Sequence, residues 1–272
     1  MLSSPARAER MIRPPRHWKT ASAEAVAAQI PRGATIAVGW LGDVLGNALE
    51  AAFLAQGAPR DLTIVYATTH GDGRTHGLNH LAHVGMVRRV IGGQWHPVPG
   101  LQALARTERI EAYSLPAGFI RHLFRDIAAG LPGHLSRGGL GTFADPRQGG
   151  GRLNQATREE LVHVVRAAGQ DALLMHSFPI DVALISVAFM EGSAAIAMTR
   201  DAMTIARAVQ ASGGLVIAQM DRVGTMEKLP PGQVVVPDTL VDVLVAADPR
   251  ERTETTFSSP LAMPKGQRRL TH

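Results

Sequence analysis

The chain has 272 residues and a mass of 29.0 kDa, and 45% of its residues are hydrophobic, so it can bury the core of a full domain. It has no cysteine, which excludes disulfide frameworks, thiolate zinc sites and cysteine nucleophiles and fits a reducing cytoplasm. Of its net charge of +5, residues 1–19 carry +4 and residues 256–272 carry +3, which leaves −2 for residues 20–255, so we expect two basic tails and no nucleic-acid binding.

The first half of the chain alternates helical and strand patterns. Ser22 can cap a helix in SAEAVAAQI, ATIAV at 34–38 has the composition of a strand, and 43–55 returns to helical spacing. LTIVY at 62–66 predicts a strand, and a long loop from Thr68 leads to a strand at 110–115 and a helix at 117–130. No apolar run approaches the ~18 residues of a membrane span, and the first residues lack the apolar core of a secretory signal, so we expect no membrane association.

The second half continues the same alternation. Thr157 and Glu160 have the spacing of a capping box, which predicts a helix in LVHVVRAA. Strand patterns follow in ALLM, DVALISV, LVIAQM, QVVV and VDVLVAA, with a helix around DAMTIARAVQASGG. Because apolar strands that alternate with helices are typical of covered parallel sheets, the sequence predicts an α/β fold: one domain with a mostly parallel sheet and helices on both faces.

Two glycine-rich segments stand out. VGWLGDVLG places Gly39, Gly42 and Gly46 directly after a predicted strand, and residues 138–154 read GGLGTFADPRQGGGRLN. In α/β sheets ligands bind beyond the carboxyl ends of strands, and glycine lets backbone approach them closely. The first segment has neither the spacing of a dinucleotide fingerprint nor a P-loop lysine. Each segment is therefore either the wall of a ligand site or a tight turn of the fold.

Four longer segments carry a family resemblance. They are GDGRTHGLNHLAHVGMVRRVIGGQW (71–95), IEAYSLPAGFIRHLFRDIAAGLPG (110–133), GLGTFADPRQGGGRLN (139–154) and FPIDVALI (178–185). In this order they resemble the α half of the family I CoA-transferases, and most closely the acetate or propionate and 3-oxoacid CoA-transferase group. The resemblance covers residues 20–250 and implies the CoA-transferase (NagB/RpiA-like) fold in a domain spanning 20–255, between tails at 1–19 and 256–272.

The resemblance implies an enzyme of acyl-CoA metabolism that moves CoA between an acyl-CoA and a carboxylic acid. In the family a glutamate attacks the acyl-CoA thioester and forms a mixed anhydride. The CoA thiolate then attacks this anhydride and forms a glutamyl-CoA thioester. CoA is a substrate, and no permanently bound cofactor is implied. In such a site the backbone N–H groups of glycine loops stabilise the oxyanion, and the closed pocket keeps water from the anhydride. We therefore expect the substrate and CoA contacts to come from Gly39, Trp40, Gly42, Gly139, Gly141, Thr142, Asp145 and Gln148.

The nucleophilic glutamate is expected outside this chain. In the family it lies in the β half, so the resemblance implies no catalytic residue here and a heteromer with a β subunit. MEGSAAIAM at 190–198 offers Glu191 before a glycine, which superficially resembles the nucleophile motif. Its place along the chain corresponds instead to a turn of the α half, and a solvated turn glutamate is the simpler interpretation.

Two polar groups have competing interpretations. His76, His80 and His83 would share one face of a helix and imitate a metal site, but they lie inside a motif of a family that uses no metal, so none is expected. Asp145 and Gln148 could contact substrate, CoA or the partner. The alternative for Asp145 is an ion pair with a neighbouring arginine, either Arg147 or Arg152.

Four residues depart from the family pattern. Trp40 stands where a second glycine is usual, Val84 where a glutamate is common, Ala117 where a glutamine is frequent, and Ser186 where an arginine is often found. Each lies in or beside a loop expected near the site. They are compatible either with a changed acyl pocket or with a non-catalytic regulatory or scaffolding paralogue of the same fold.

Overall fold

The computed structural model describes residues 19–68, 71–191, 194–197, 201–220 and 234–246. Of the predicted basic tails, only Lys19 lies within the described residues. The five α-helices in these segments are α1 (Ala23–Ala27), α2 (Asp43–Gln56), α3 (Pro99–Arg106), α4 (Ala117–Ala128) and α5 (Asp201–Ser212). The strands are β1 (Lys19–Ala21), β2 (Thr35–Val38), β3 (Leu62–Tyr66), β4 (Val87–Gly92), β5 (Glu111–Ser114), β6 (Gly133–Ser136), β7 (Val162–Ala167), β8 (Gln170–His176), β9 (Val182–Glu191), β10 (Ala194–Ala197), β11 (Leu215–Met220), β12 (Val234–Pro237) and β13 (Val243–Ala246).

The main sheet confirms the predicted α/β fold. Eight strands run in the order β1-β13-β11-β9-β2-β3-β4-β5, and every neighbouring pair in this order is parallel. β10 extends the sheet by antiparallel pairing with both β9 and β12. A separate antiparallel sheet has the order β6-β8-β7.

Alternate residues of the parallel strands supply two hydrophobic cores, because successive side chains of a strand point to opposite faces. One face packs against α4 and α5, and its central row, in register across β2 to β5, is Ala37, Val65, Ile91 and Tyr113. The opposite face packs against α1, α2 and α3. Its central row consists of the residues one position earlier in the same strands, Ile36, Ile64, Val90 and Ala112. Helices therefore cover both faces of a single domain.

Two local predictions were wrong. The long loop from Thr68 contains β4 and α3, and a 3₁₀ helix (Gly77–Leu81) precedes β4. LVHVVRAA forms β7 and not a helix, since its β-branched valines favour a strand and pair with β8. Thr157 does not cap a helix either: its hydroxyl accepts the Ala112 N–H of β5 at 2.7 Å.

Candidate functional site

The first glycine segment lies at the carboxyl edge of the main sheet, between β2 and α2. The N–H groups of Gly39 and Trp40 both approach the carbonyl oxygen of Leu184 in β9, at 2.9 and 3.3 Å. Gly39 is buried, and a Cβ built on it would lie 3.3 Å from Ile185 and 3.4 Å from Ile205. Trp40 is half-buried beside it. This segment thus packs tightly on β9 and α5.

Gly42 is placed by a residue that the sequence motifs did not single out. Gly42 is the N-cap of α2, and a Cβ there would overlap the side-chain amide of Gln219. Gln219 is only 3% exposed, and its Oε1 accepts the N–H of Leu45 at 2.9 Å, so it satisfies a free donor in the first turn of α2. In the sequence, Gln219 could have been singled out as the one polar residue inside the apolar strand pattern LVIAQM.

Carboxylates and histidines interleave beside the start of α2. His80 lies between Asp43, 3.4 Å from its Nε2, and Glu50, 2.7 Å from its Nδ1. Glu50 also meets His83 Nε2 at 2.7 Å, and Asp43 meets His76 Nδ1 at 3.0 Å. The predicted shared face of three histidines is therefore not formed, because the 3₁₀ helix ends at Leu81 and His83 turns to Glu50.

Electrostatics favours the charged forms in this cluster. The hydrogen bond with His80 holds the pKa of Asp43 below its usual range. Burial opposes ionisation of Glu50, but hydrogen bonds with His80 and His83 outweigh it and lower the Glu50 pKa. Burial likewise disfavours a charged His80, and hydrogen bonds to Asp43 and Glu50 outweigh it and raise the His80 pKa.

The second glycine segment is organised by Asp145. This carboxylate is 1% exposed and accepts two hydrogen bonds from the Arg147 guanidinium, at 2.9 and 2.8 Å, and one from the Gly141 N–H at 2.8 Å. The bonds from Arg147 and Gly141 hold the pKa of Asp145 far below its usual range. Of the two interpretations left open by the sequence, the pairing with Arg147 is thus the one that the geometry supports.

The tip of this segment is exposed. Gly141, Thr142 and Gln148 are open to solvent, and the Phe143 side chain is 53% exposed. Gly139 is half-buried, and its carbonyl accepts the Thr142 hydroxyl at 2.7 Å, which closes a local turn. The Thr142 hydroxyl is thus engaged within the turn, while the Thr142 and Gln148 residues are exposed at its surface.

The two glycine segments share one edge of the sheet but lie at different strands. The second segment ends against β5, where the Ser114 N–H donates to the Gly151 carbonyl at 2.8 Å. The first segment follows β2, three strands away in the sheet order. At about 4.8 Å per strand, the strands that anchor the two segments are roughly 14 Å apart along the edge.

The four residues that depart from the family pattern occupy different surroundings. Val84 is 59% exposed, and Ala117 begins α4 beyond β5. Ser186 is buried in β9, where its hydroxyl donates to the Gln219 carbonyl at 3.4 Å. Trp40 and Ser186 are thus the two that lie beside the buried packing of the first glycine segment.

A surface groove of about 820 Å³ lies beside α3. The groove joins the loop before α3, α3 itself and the end of the second glycine segment, and its lining includes Trp95, His96, Gln102, Arg106, Arg152 and Asn154. None of the residues that the sequence assigns to substrate lines it.

Glu191 is the last residue of β9. Its backbone pairs with Ala194 in the hairpin to β10. Glu191 therefore lies at the end of a strand and not in the turn expected from the sequence, and its side chain lies outside the described residues.

We expect Asp145→Asn to lower the melting temperature more at pH 7 than at pH 3. The folded-state pKa of Asp145 is depressed, so its stabilisation is fully present above the unfolded pKa of about 3.9 and is lost as the pH falls towards the folded pKa. Asp171→Asn is the matched control: it also meets Arg147, at 3.2 Å, but is half exposed and is expected to change little. Thermal melts of both variants and the wild type from pH 3 to pH 7 test this prediction. A difference in melting temperature between Asp145→Asn and the wild type that does not change with pH would contradict it.

No helix within the described segments is long and apolar enough to cross a membrane.

A family model described as Coenzyme A transferase matches residues 19–247. The caffeate CoA-transferase of Acetobacterium woodii is 31% identical over 255 residues, which are 89% of this chain and 49% of that protein. The acetate CoA-transferase YdiF of Escherichia coli K12 is 34% identical over 267 residues, which are 92% of this chain and 49% of that protein. The chain thus spans about half the length of these curated relatives.

Solved structures give the same relationship. The apoenzyme of the acyl-CoA transferase YdiF from E. coli O157:H7 superposes with a TM-score of 0.76 at 33% identity, covering 87% of this chain and 48% of that one. A thioester complex of the same protein with CoA gives a TM-score of 0.77, covering 87% of this chain and 51% of that one.

Proposed function

Because the chain belongs to the coenzyme A transferase family, we propose that it is the α subunit of a heteromeric CoA-transferase that moves CoA between an acyl-CoA and a carboxylic acid. The observation that carries the proposal is the match of the Coenzyme A transferase family model over residues 19–247. The motifs that resemble the α half occur in family order, and a β subunit would supply the other half. CoA is a substrate in this proposal, and no permanently bound cofactor takes part.

The proposed chemistry begins with a glutamate of the β subunit. Its carboxylate attacks the acyl-CoA carbonyl, the C–S bond breaks, and a mixed anhydride and CoA thiolate form. The thiolate then attacks the glutamyl carbonyl, which releases the first acid and leaves a glutamyl-CoA thioester. The acceptor acid reverses both steps and departs as its CoA thioester, while the glutamate is restored. Glu191 is not the proposed nucleophile, since the resemblance assigns the nucleophilic glutamate to the β half.

In this proposal the two glycine segments form the wall that faces the β subunit. Gly39 and Gly42 pack the first segment onto β9 and Gln219, so that Trp40 is held at the carboxyl edge of the sheet. Gly139 and Gly141 shape the second segment, whose exposed Thr142 and Gln148 side chains are the proposed contacts to CoA or acid. Asp145 acts indirectly, because its carboxylate is already engaged by Arg147 and Gly141.

Domain limits and location complete the proposal. We assign residues 20–255 to the CoA-transferase domain, with basic tails at 1–19 and 256–272. The family match over 19–247 supports the domain limits. The cytoplasm is the proposed location, because the chemistry needs CoA and the chain has no cysteine.

We expect the purified chain alone to show no CoA transfer, and addition of the β subunit encoded by the neighbouring reading frame to restore it. The physical reason is that a site without its nucleophile cannot form the covalent intermediate. The assay follows CoA transfer between short acyl-CoA donors and carboxylic acids. Glu191→Gln in the complex is the control and should leave turnover within about threefold of wild type, far from the loss that removal of a nucleophile causes.

Two outcomes would contradict the proposal. Turnover by the chain alone that Glu191→Gln abolishes would place the nucleophile here. Inactivity of every wild-type pairing, with the complex assembled, would favour a non-catalytic scaffolding paralogue.

A further inference from the structure

Three potential metal ligands converge beside α2. A carboxylate oxygen of Asp43, Nδ1 of His76 and Nε2 of His80 all lie within 4.8 Å of one another. Asp43 is the first residue of α2, while His76 and His80 lie at the start and within the 3₁₀ helix that follows β3. The donors therefore come from two separate connections of the fold and tie them together.

Hydrogen bonding among these side chains is incomplete. His76 Nδ1 is buried and has no hydrogen-bond partner of proper geometry, although Asp43 Oδ2 is only 3.0 Å away. His80 Nε2 lies 3.4 Å from Asp43 Oδ1, longer than the 2.7–2.9 Å of a charge-assisted hydrogen bond. A buried nitrogen without a partner is costly, and a cation bound between the three donors would satisfy it.

The other nitrogen of His80 has the partner that a metal ligand requires. His80 Nδ1 lies 2.7 Å from Glu50 Oε2, and Glu50 is fixed in turn by His83 at 2.7 Å. Metal-binding histidines usually donate their second N–H to a carboxylate, which orients the ring and fixes the tautomer. A metal at Nε2 would displace the proton that this nitrogen shares with Asp43.

Gly46 makes room for this arrangement. A Cβ on Gly46, one turn after Asp43 in α2, would lie 2.5 Å from Cδ2 of the His80 ring. Any side chain there would push the imidazole away from both Asp43 and Glu50. The third glycine of the first glycine segment is thus explained by the position of His80.

Charge around the donors favours a cation. The N-terminus of α2 carries a partial positive charge, which opposes one. Three carboxylates outweigh it: Asp43 is a donor, Glu50 lies behind His80, and Asp72 Oδ2 lies 3.9 Å from His76 Nε2. The His76 side chain is 44% exposed, so the position also has a path for entry from solvent.

We propose that Asp43, His76 and His80 form a binding site for a divalent metal ion of the zinc type, with a coordination position left open. Two imidazoles and one carboxylate are a donor set that zinc uses when it keeps an open position, and they suit it better than Mg²⁺ or Ca²⁺, which prefer oxygen. The inference does not require CoA transfer, because all three donors belong to this chain, although Asp43 lies in the first glycine segment. It replaces the three-histidine face considered from the sequence with a set in which Asp43 takes the place of His83.

Titration of the full chain, first freed of metal with a chelator, tests the proposal. We expect stoichiometric binding of Zn²⁺ by calorimetry, and absorption bands of low-symmetry coordination when Co²⁺ is the probe. His76→Gln removes a ligand and should weaken Zn²⁺ binding by about a hundredfold or more. Glu50→Gln removes only the hydrogen-bond partner of a ligand, which typically costs about 10–100-fold, and should weaken binding by about tenfold. His76 is partly exposed, so its variant should fold, which thermal melts without metal confirm.

The matched control is His163→Gln. His163 and His176 form another histidine pair, with ring centroids 5.4 Å apart, and would capture zinc adventitiously if any histidine pair sufficed. We expect this variant to bind Zn²⁺ like the wild type. Zinc binding that His163→Gln weakens as much as His76→Gln does, or no stoichiometric binding by the wild type, would overturn the proposal. Because no step of the test measures CoA transfer, its failure would leave the proposed function untouched.

Discussion

Gly93→Ala is expected to lower the free energy of unfolding by more than about 3 kcal/mol, at the upper end of overpacking effects. Gly93 follows β4 at the carboxyl edge of the sheet, where its N–H donates to the Tyr66 carbonyl at 3.0 Å. A Cβ there would overlap the carbonyl oxygen of Ala67 and lie 3.0 Å from Cα of Ala117. Both neighbours are backbone atoms at the ends of β3 and the start of α4, so neither can rotate away.

Gly118→Ala is the matched control for this prediction. Gly118 is exposed in the first turn of α4, and a Cβ on it would meet no atom within 4 Å. Alanine there should stabilise by about 0.5–1 kcal/mol, because it restricts the unfolded chain and favours the helix. Denaturant titrations of both variants measure the difference. A Gly93→Ala protein as stable as the wild type would mean that β3, β4 and α4 are less tightly joined than the structure has them.

The fold was predictable where one pattern dominated. The apolar strands β2, β3, β9 and β11 and the helices α2 and α5 were all predicted, because nothing in those segments competes with the burial pattern. β4 was missed because Arg88 and Arg89 interrupt its apolar residues. Arg89 is held there by Glu111 of the neighbouring strand, a pairing that only the assembled sheet supplies. β7 was mistaken for a helix because Thr157 and Glu160 imitate a capping box.

The position of the first glycine segment could be predicted from the sequence, but the contacts that hold it in place could not. The sequence indicated that the first glycine segment follows a strand, and it does. It could not indicate that Gly42 faces Gln219, since 177 positions separate the two residues along the chain. The same holds for Asp43, which joins His76 only because α2 and the connection after β3 lie on one face of the sheet. Contacts between distant segments depend on topology, which local patterns do not encode.

Gly141→Val in the reconstituted α/β complex is expected to lower turnover by at least about a hundredfold, the loss that a displacement of ~1 Å can cause in an active site. Gly141 has a φ of +72°, in the left-handed region that a β-branched residue rarely adopts. A Cβ there would meet no atom within 4 Å, so the effect arises from backbone strain and not from a clash. To relieve the strain the loop must move, and the bond from the Gly141 N–H to Asp145 breaks with it.

Gly57→Val separates loss of activity from loss of stability. Gly57 has a φ of +69° and equally open space around its Cβ, but it ends α2 at the opposite edge of the sheet from the glycine segments. Both valines should cost a similar ~1–3 kcal/mol of backbone strain, and Gly141→Val in addition loses the bond to Asp145, so both should lower the melting temperature. Only Gly141→Val should lower turnover, because only its loop faces the proposed substrate. Equal losses in the two variants would reduce the effect to destabilisation, and full turnover in Gly141→Val would move the second glycine segment away from the chemistry.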